Sequence, residues 1–158
     1  MQKTEAEIAK TNYTFTARIF HWSFVILFIY GVFKQIENIN QLEDLALLKF
    51  EMTFALLFIL FLVARFVYMM RTQKSSLPPD TPRAQKALAK AVHHGMYIGM
   101  ISIAFSGLVI GCLYWLDLKS GAIIETIIGW HEVSVSIVYW LVGLHLIGAI
   151  YHRFKNCL

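Results

Sequence analysis

The chain has 158 residues, of which 58% are hydrophobic and only 15% charged, with a formal net charge of +4. That balance excludes an ordinary soluble domain, which carries more charge and shorter apolar runs, and marks an integral membrane protein. Two cysteines, Cys112 and Cys157, are too few for a disulfide framework or a four-cysteine iron–sulfur site, and the small positive excess does not call for a nucleic-acid partner.

Residues 1–16 form a polar tail with Glu5 and Glu7. This does not read as a cleavable signal peptide, so the first apolar helix is expected to act as its own insertion signal. Helix 1 is predicted over about Ala17–Phe33, with Phe20 and Trp22 as interface anchors. A polar loop follows over 34–45. Helix 2 is predicted over about 46–70, and 71–88 is the longest break, holding Pro78, Pro79 and Pro82. Helix 3 is predicted over about 91–116. After a turn at Lys119, Ser120 and Gly121, helix 4 runs over about 123–152, with room for a surface turn before Gly129. The fold class is therefore all-α: an integral membrane four-helix bundle, read as one domain over 1–158.

Four spans place both termini on one side. Ten lysines and arginines lie in the tail, the loop between helices 2 and 3, and the C-terminus, against Lys34, Lys49 and Lys119 on the other side. The excess predicts that both termini are cytoplasmic. Arg65 is left inside helix 2, where a charge needs water or an acid; it is expected to snorkel toward the cytoplasm.

His131 and His145 lie fourteen residues apart on helix 4. Fourteen helical steps leave them about 40° apart in direction and about 21 Å apart in height, so one face carries an imidazole at each of two depths. That is what two stacked metal or haem sites ask of a helix. Ionisable residues inside a membrane are expensive and point to function. His21 enters helix 1 at the depth of His145, and the two form a candidate bis-histidine haem pair from different helices. His131 needs a partner from helix 2, which offers no histidine but Glu51 and Met52. These two also read as the wet end of a helix. His93 and His94 are about 100° apart on helix 3, so one of them faces the interior as a quinone or propionate contact, or both sit at the interface. His152 with Arg153 reads as a snorkelling helix end. Gly107, Gly111, Gly143 and Gly148 permit close approach of a helix or a flat macrocycle. Arg83, Lys86 and Lys90 are placed to neutralise propionates or anionic lipid.

Arg18-Ile19-Phe20-His21-Trp22 resembles the first-helix signature of the bacterial cytochrome b561 family of four-helix, haem-b membrane proteins. Ala91, Val92 and His93 with Tyr97, then Ser106 and Gly107, resemble its third helix. His131-Glu132, Leu144-His145 and Tyr151-His152-Arg153-Phe154 resemble its fourth. The resemblance runs from Ala17 to Phe154 and implies two haems b in the bacterial inner membrane, the cytoplasmic one on His21 and His145. The outer haem would lie on His131 and a histidine early in helix 2. Counting back fourteen residues from Arg65, which matches a family arginine, lands on Glu51 instead. The resemblance thus leaves one haem or two, with Met52, Glu51 or no residue as the second outer ligand. It also implies electron exchange with ubiquinone or menaquinone in a respiratory chain, including oxidation of superoxide with reduction of ubiquinone.

Other readings stand beside this one. The same bundle serves as a haem-b anchor that passes electrons for a partner subunit. A haem-free carrier or degenerate family member would lack bound porphyrin, and a metal transporter would use the histidines as transient ligands.

Overall fold

The computed structural model describes residues 15–34, 38–72 and 81–155, without the side chains of His152, Arg153 and Lys155. The reading of His152 and Arg153 as a helix-end pair lies outside these residues, as do Pro78 and Pro79. Four helices make up the fold: α1 (Phe15–Phe33), α2 (Leu45–Thr72), α3 (Arg83–Trp115) and α4 (Ala122–Lys155), with a 3-10 turn at Ile39–Glu43 between the first two. All four are long and apolar enough to cross a membrane. At about 1.5 Å per residue, α3 and α4 run close to 50 Å, beyond the roughly 30 Å hydrocarbon layer.

Local chemistry sets the ends. Asp44 Oδ1 accepts the Ala46 amide at 2.8 Å, capping α2, and Asn38 Oδ1 accepts the Asn40 amide at 3.0 Å to start the 3-10 turn. α3 stops at a Schellman turn: Leu118 N donates to Leu113 O at 2.9 Å and Asp117 N to Tyr114 O at 3.1 Å. Asp117 takes φ 61° there, a left-handed position that aspartate tolerates. Lys119 Nζ lies 3.1 Å from its carboxylate, and Gly121 turns the chain into α4 at φ 107°.

Two boundaries differ from the sequence reading. α3 begins at Arg83, eight residues before the apolar run. Pro82, just outside its first turn, removes no helical hydrogen bond, so proline here precedes a helix rather than breaking one. α4 is continuous from Ala122, with no separate surface turn before Gly129.

The helix backbones approach in the order α1–α2–α3–α4, and among the described residues those of α1 and α4 do not come close. The buried share of each span's apolar window is 28% in α3 against 6% to 11% in the others, which makes α3 central. α3 and α4 meet at glycine: a Cβ at Gly99 would overlap Val138 Cγ2, and one at Gly95 would come within 3.1 Å of Leu141. α1 is fixed to α2 by an aromatic ladder, Phe20 on Phe61 (5.7 Å) and Tyr68 (5.2 Å), Phe24 on Phe58 (5.4 Å) and Tyr30 on Phe54 (5.6 Å). Two core clusters result. Phe24, Leu62, Val92, Met96, Met100 and Val138 fill the half toward the chain termini, here the terminal half. Leu42, Leu48, Ile110, Tyr114 and Ile124 fill the opposite half. Large apolar residues cover the outer surface, as lipid contact requires.

Candidate functional site

Each helix sends one polar side chain to the same level of the terminal half. His21 comes from α1, Arg65 from α2, His93 from α3 and His145 from α4. They meet in two pairs, Arg65 with His21 and His93 with His145. Arg65 Nη2 lies 2.9 Å from His21 Nδ1. Its guanidinium sits over the rings of Phe24 (4.9 Å) and Tyr97 (5.8 Å). Arg65 therefore turns inward and does not snorkel along the membrane edge. The aromatic faces and the histidine lone pair draw it across the bundle. Its Nε is buried with no hydrogen-bond partner among the described residues.

His93 packs edge-on against His145, ring centroids 4.8 Å apart and planes at 89°. His93 Nδ1 lies 2.9 Å from Ala89 O, and His94 Nδ1 lies 2.8 Å from Lys90 O. A carbonyl only accepts, so each ring donates through Nδ1 and keeps Nε2 as its lone pair. Of the two, His93 joins the interior cluster.

The opposite half is built differently. His131 Nδ1 lies 2.9 Å from Ser106 Oγ, which itself lies 2.7 Å from Ser102 O and 3.0 Å from Ile103 O. When Ser106 gives its one proton to those carbonyls, His131 donates through Nδ1 and its Nε2 carries the lone pair. Ser102 Oγ adds bonds to Ser134 Oγ (3.0 Å) and Trp130 Nε1 (2.8 Å). A Cβ at Gly107 would stand 3.5 Å from the imidazole. The ring borders a cavity of about 370 Å³ that Glu51, Met52 and Glu132 also line. Met52 lies flat on α3: a Cβ at Gly111 would come within 2.6 Å of its Cγ and 3.1 Å of its Sδ. Gly143 and Gly148 face open space, where a Cβ would meet nothing within 4 Å among the described residues. Among the described residues no three His, Cys, Asp or Glu side chains form a metal-binding group.

A family model described as prokaryotic cytochrome b561 matches residues 12–157. The chain belongs to that family. No curated protein and no solved structure matches it. Family membership and four apolar spans make it a multi-pass membrane b-type cytochrome of electron transport that binds haem b. The terminal half fits such a group. His21 and His145 stand on helices whose backbones do not approach closely among the described residues, and the orphaned Arg65 Nε offers a donor to an anion such as a haem carboxylate. The opposite half does not supply a matching pair, since its one imidazole, His131, shares its cavity with Glu51 and Met52 and with no second histidine.

The Arg65–His21 bond and the His131–Ser106 bond were not legible as contacts in the sequence. Arg65 did carry a signal: it lies about 10 Å inside the end of α2, at the level of His21. The Ser102–Ser134–Trp130 network carried none, because serine is common in membrane helices.

Proposed function

We propose that this cytochrome exchanges electrons with the quinone pool of the bacterial inner membrane, through one haem b held by His21 and His145 in the terminal half. What carries the reading is the meeting of Arg65 with His21 and of His93 with His145, two pairs from four helices that counting along each helix puts at one level. A structural histidine needs no counterpart on each of three neighbours. Both termini and this half face the cytoplasm, on the lysine and arginine excess.

In this reading His21 and His145 are the axial ligands, and bound haem supplies a one-electron carrier. Phe24, Met96, Met100 and Val138 form a buried apolar cluster beside the site. His93, whose Nε2 carries the lone pair, accepts from a quinol hydroxyl at the rim. Glu51, Met52 and His131 are not assigned a second haem. Superoxide oxidation would call for a carrier in that outer half and is not part of the proposal.

The test is reduction of the purified protein by a short-chain quinol in proteoliposomes, followed at the haem absorption bands. Quinol-driven reduction is expected in the wild type. His93→Ala should keep its haem and be reduced about fivefold more slowly or worse, the loss of one hydrogen bond at the quinol. A haem that quinol never reduces, but that a co-purifying soluble enzyme does, would replace this reading with the anchor-subunit reading.

A further inference from the structure

Arg65 is a donor-only side chain, so its 2.9 Å contact with His21 Nδ1 requires that nitrogen to accept. The ring's one proton then sits on Nε2. Neither nitrogen can ligate a metal while that arrangement holds. Ligation through Nδ1 displaces Arg65 directly. Ligation through Nε2 moves the proton to Nδ1, which then has no lone pair for Arg65. The number of protons on the ring is unchanged in either case. Ligation by His21 and the Arg65–His21 bond therefore exclude each other.

The released guanidinium has nowhere to go among the described side chains. Every described carboxylate, Glu43, Asp44, Glu51, Asp117, Glu125 and Glu132, belongs to the opposite half. The faces of the Phe24 and Tyr97 rings hold the plane of Arg65 but accept no conventional hydrogen bond, and among the described residues its buried Nε has no partner. A charged guanidinium inside a membrane bundle calls for a counter-charge; among the described residues of the terminal half no carboxylate supplies it, and a bound anion would. Lipid phosphate and a haem carboxylate share the chemistry, but the carboxylate arrives with the same event that frees Arg65.

We propose that Arg65 has two successive partners: His21 before that histidine ligates, and a haem carboxylate afterwards. Arg65 is thus a positioning residue that holds the ligand in place and then fixes the macrocycle's orientation. This inference rests on His21 being an axial ligand.

The experiment measures affinity of the full detergent-solubilised chain for haem b and for haem b dimethyl ester, whose carboxylates carry no charge, in wild type, Arg65→Gln and Arg65→Lys. Wild type is expected to favour the free acid by about tenfold or more, the size of a charge-assisted pair. Arg65→Gln should lose about tenfold of that preference and Arg65→Lys should keep part of it. Removing a charge eases membrane insertion, and Arg65→Lys retains the test where Arg65→Gln is poorly produced. Equal preference in all three proteins overturns the proposal and assigns Arg65 to a lipid phosphate or to structure alone. Failure of wild type to bind either haem overturns the proposal together with the haem reading beneath it, whereas binding with equal preference leaves that reading standing.

Discussion

His145→Ala is expected to lose bound haem, with affinity falling at least about tenfold while the helical content of the purified protein stays at the wild-type level. The side chain is half-buried and touches His93, and among the described residues neither of its ring nitrogens has a hydrogen-bond partner. Truncating it removes little packing. What it removes is one of the two imidazoles proposed as axial ligands. His21→Ala should have the same effect on haem, and the double variant should be no worse than either single, because both act on one iron. Absorption spectra of the purified proteins, with circular dichroism beside them, decide this. Haem retained at wild-type affinity in His145→Ala would remove that residue from the ligand set.

Gly99→Leu should have the largest effect on stability. Even a Cβ at this position overlaps Val138, which is completely buried between α3 and α4. Lipid tails are as apolar as the core, so contact between these helices depends on close packing rather than on exclusion of water. Overpacking is expected to cost about 1–3 kcal/mol or more, with Gly99→Ala smaller in the same direction. Gly143→Leu on α4, where a Cβ meets nothing within 4 Å among the described residues, should leave the unfolding midpoint near wild type apart from glycine's own helix penalty, which favours leucine. Thermal unfolding in one detergent compares the three. A Gly99→Leu protein as stable as Gly143→Leu would show that α3 and α4 do not approach at Gly99 as described.

Why the fold was readable and parts of the site were not follows from the solvent. Apolar runs long enough to span a bilayer announce themselves by length, so the four helices stand out in the sequence. The face each helix turns inward does not, because Trp140 in lipid and Val138 in the core are both apolar. The early start of α3 was hidden because Arg83–Lys90 extends past the apolar stretch as a polar helical stem. Depth along a helix follows from counting, which is why His21 and His145 could be matched by level. Direction around the helix depends on neighbours, so an arginine read as reaching out to the membrane edge instead reaches across to His21. Glu51 is the opposite case. Its chemistry was legible in the sequence as a departure from a family pattern, and the structure adds that it borders the same cavity as His131.

The central claim is a single haem in the terminal half, and haem per polypeptide in wild type and His131→Ala tests it most directly. A pyridine haemochrome assay on protein from haem-replete cells is expected to give one haem per chain in both. Two haems per chain in wild type, with one lost in His131→Ala, would contradict the account and place a second iron on His131, beside Met52 and Glu51.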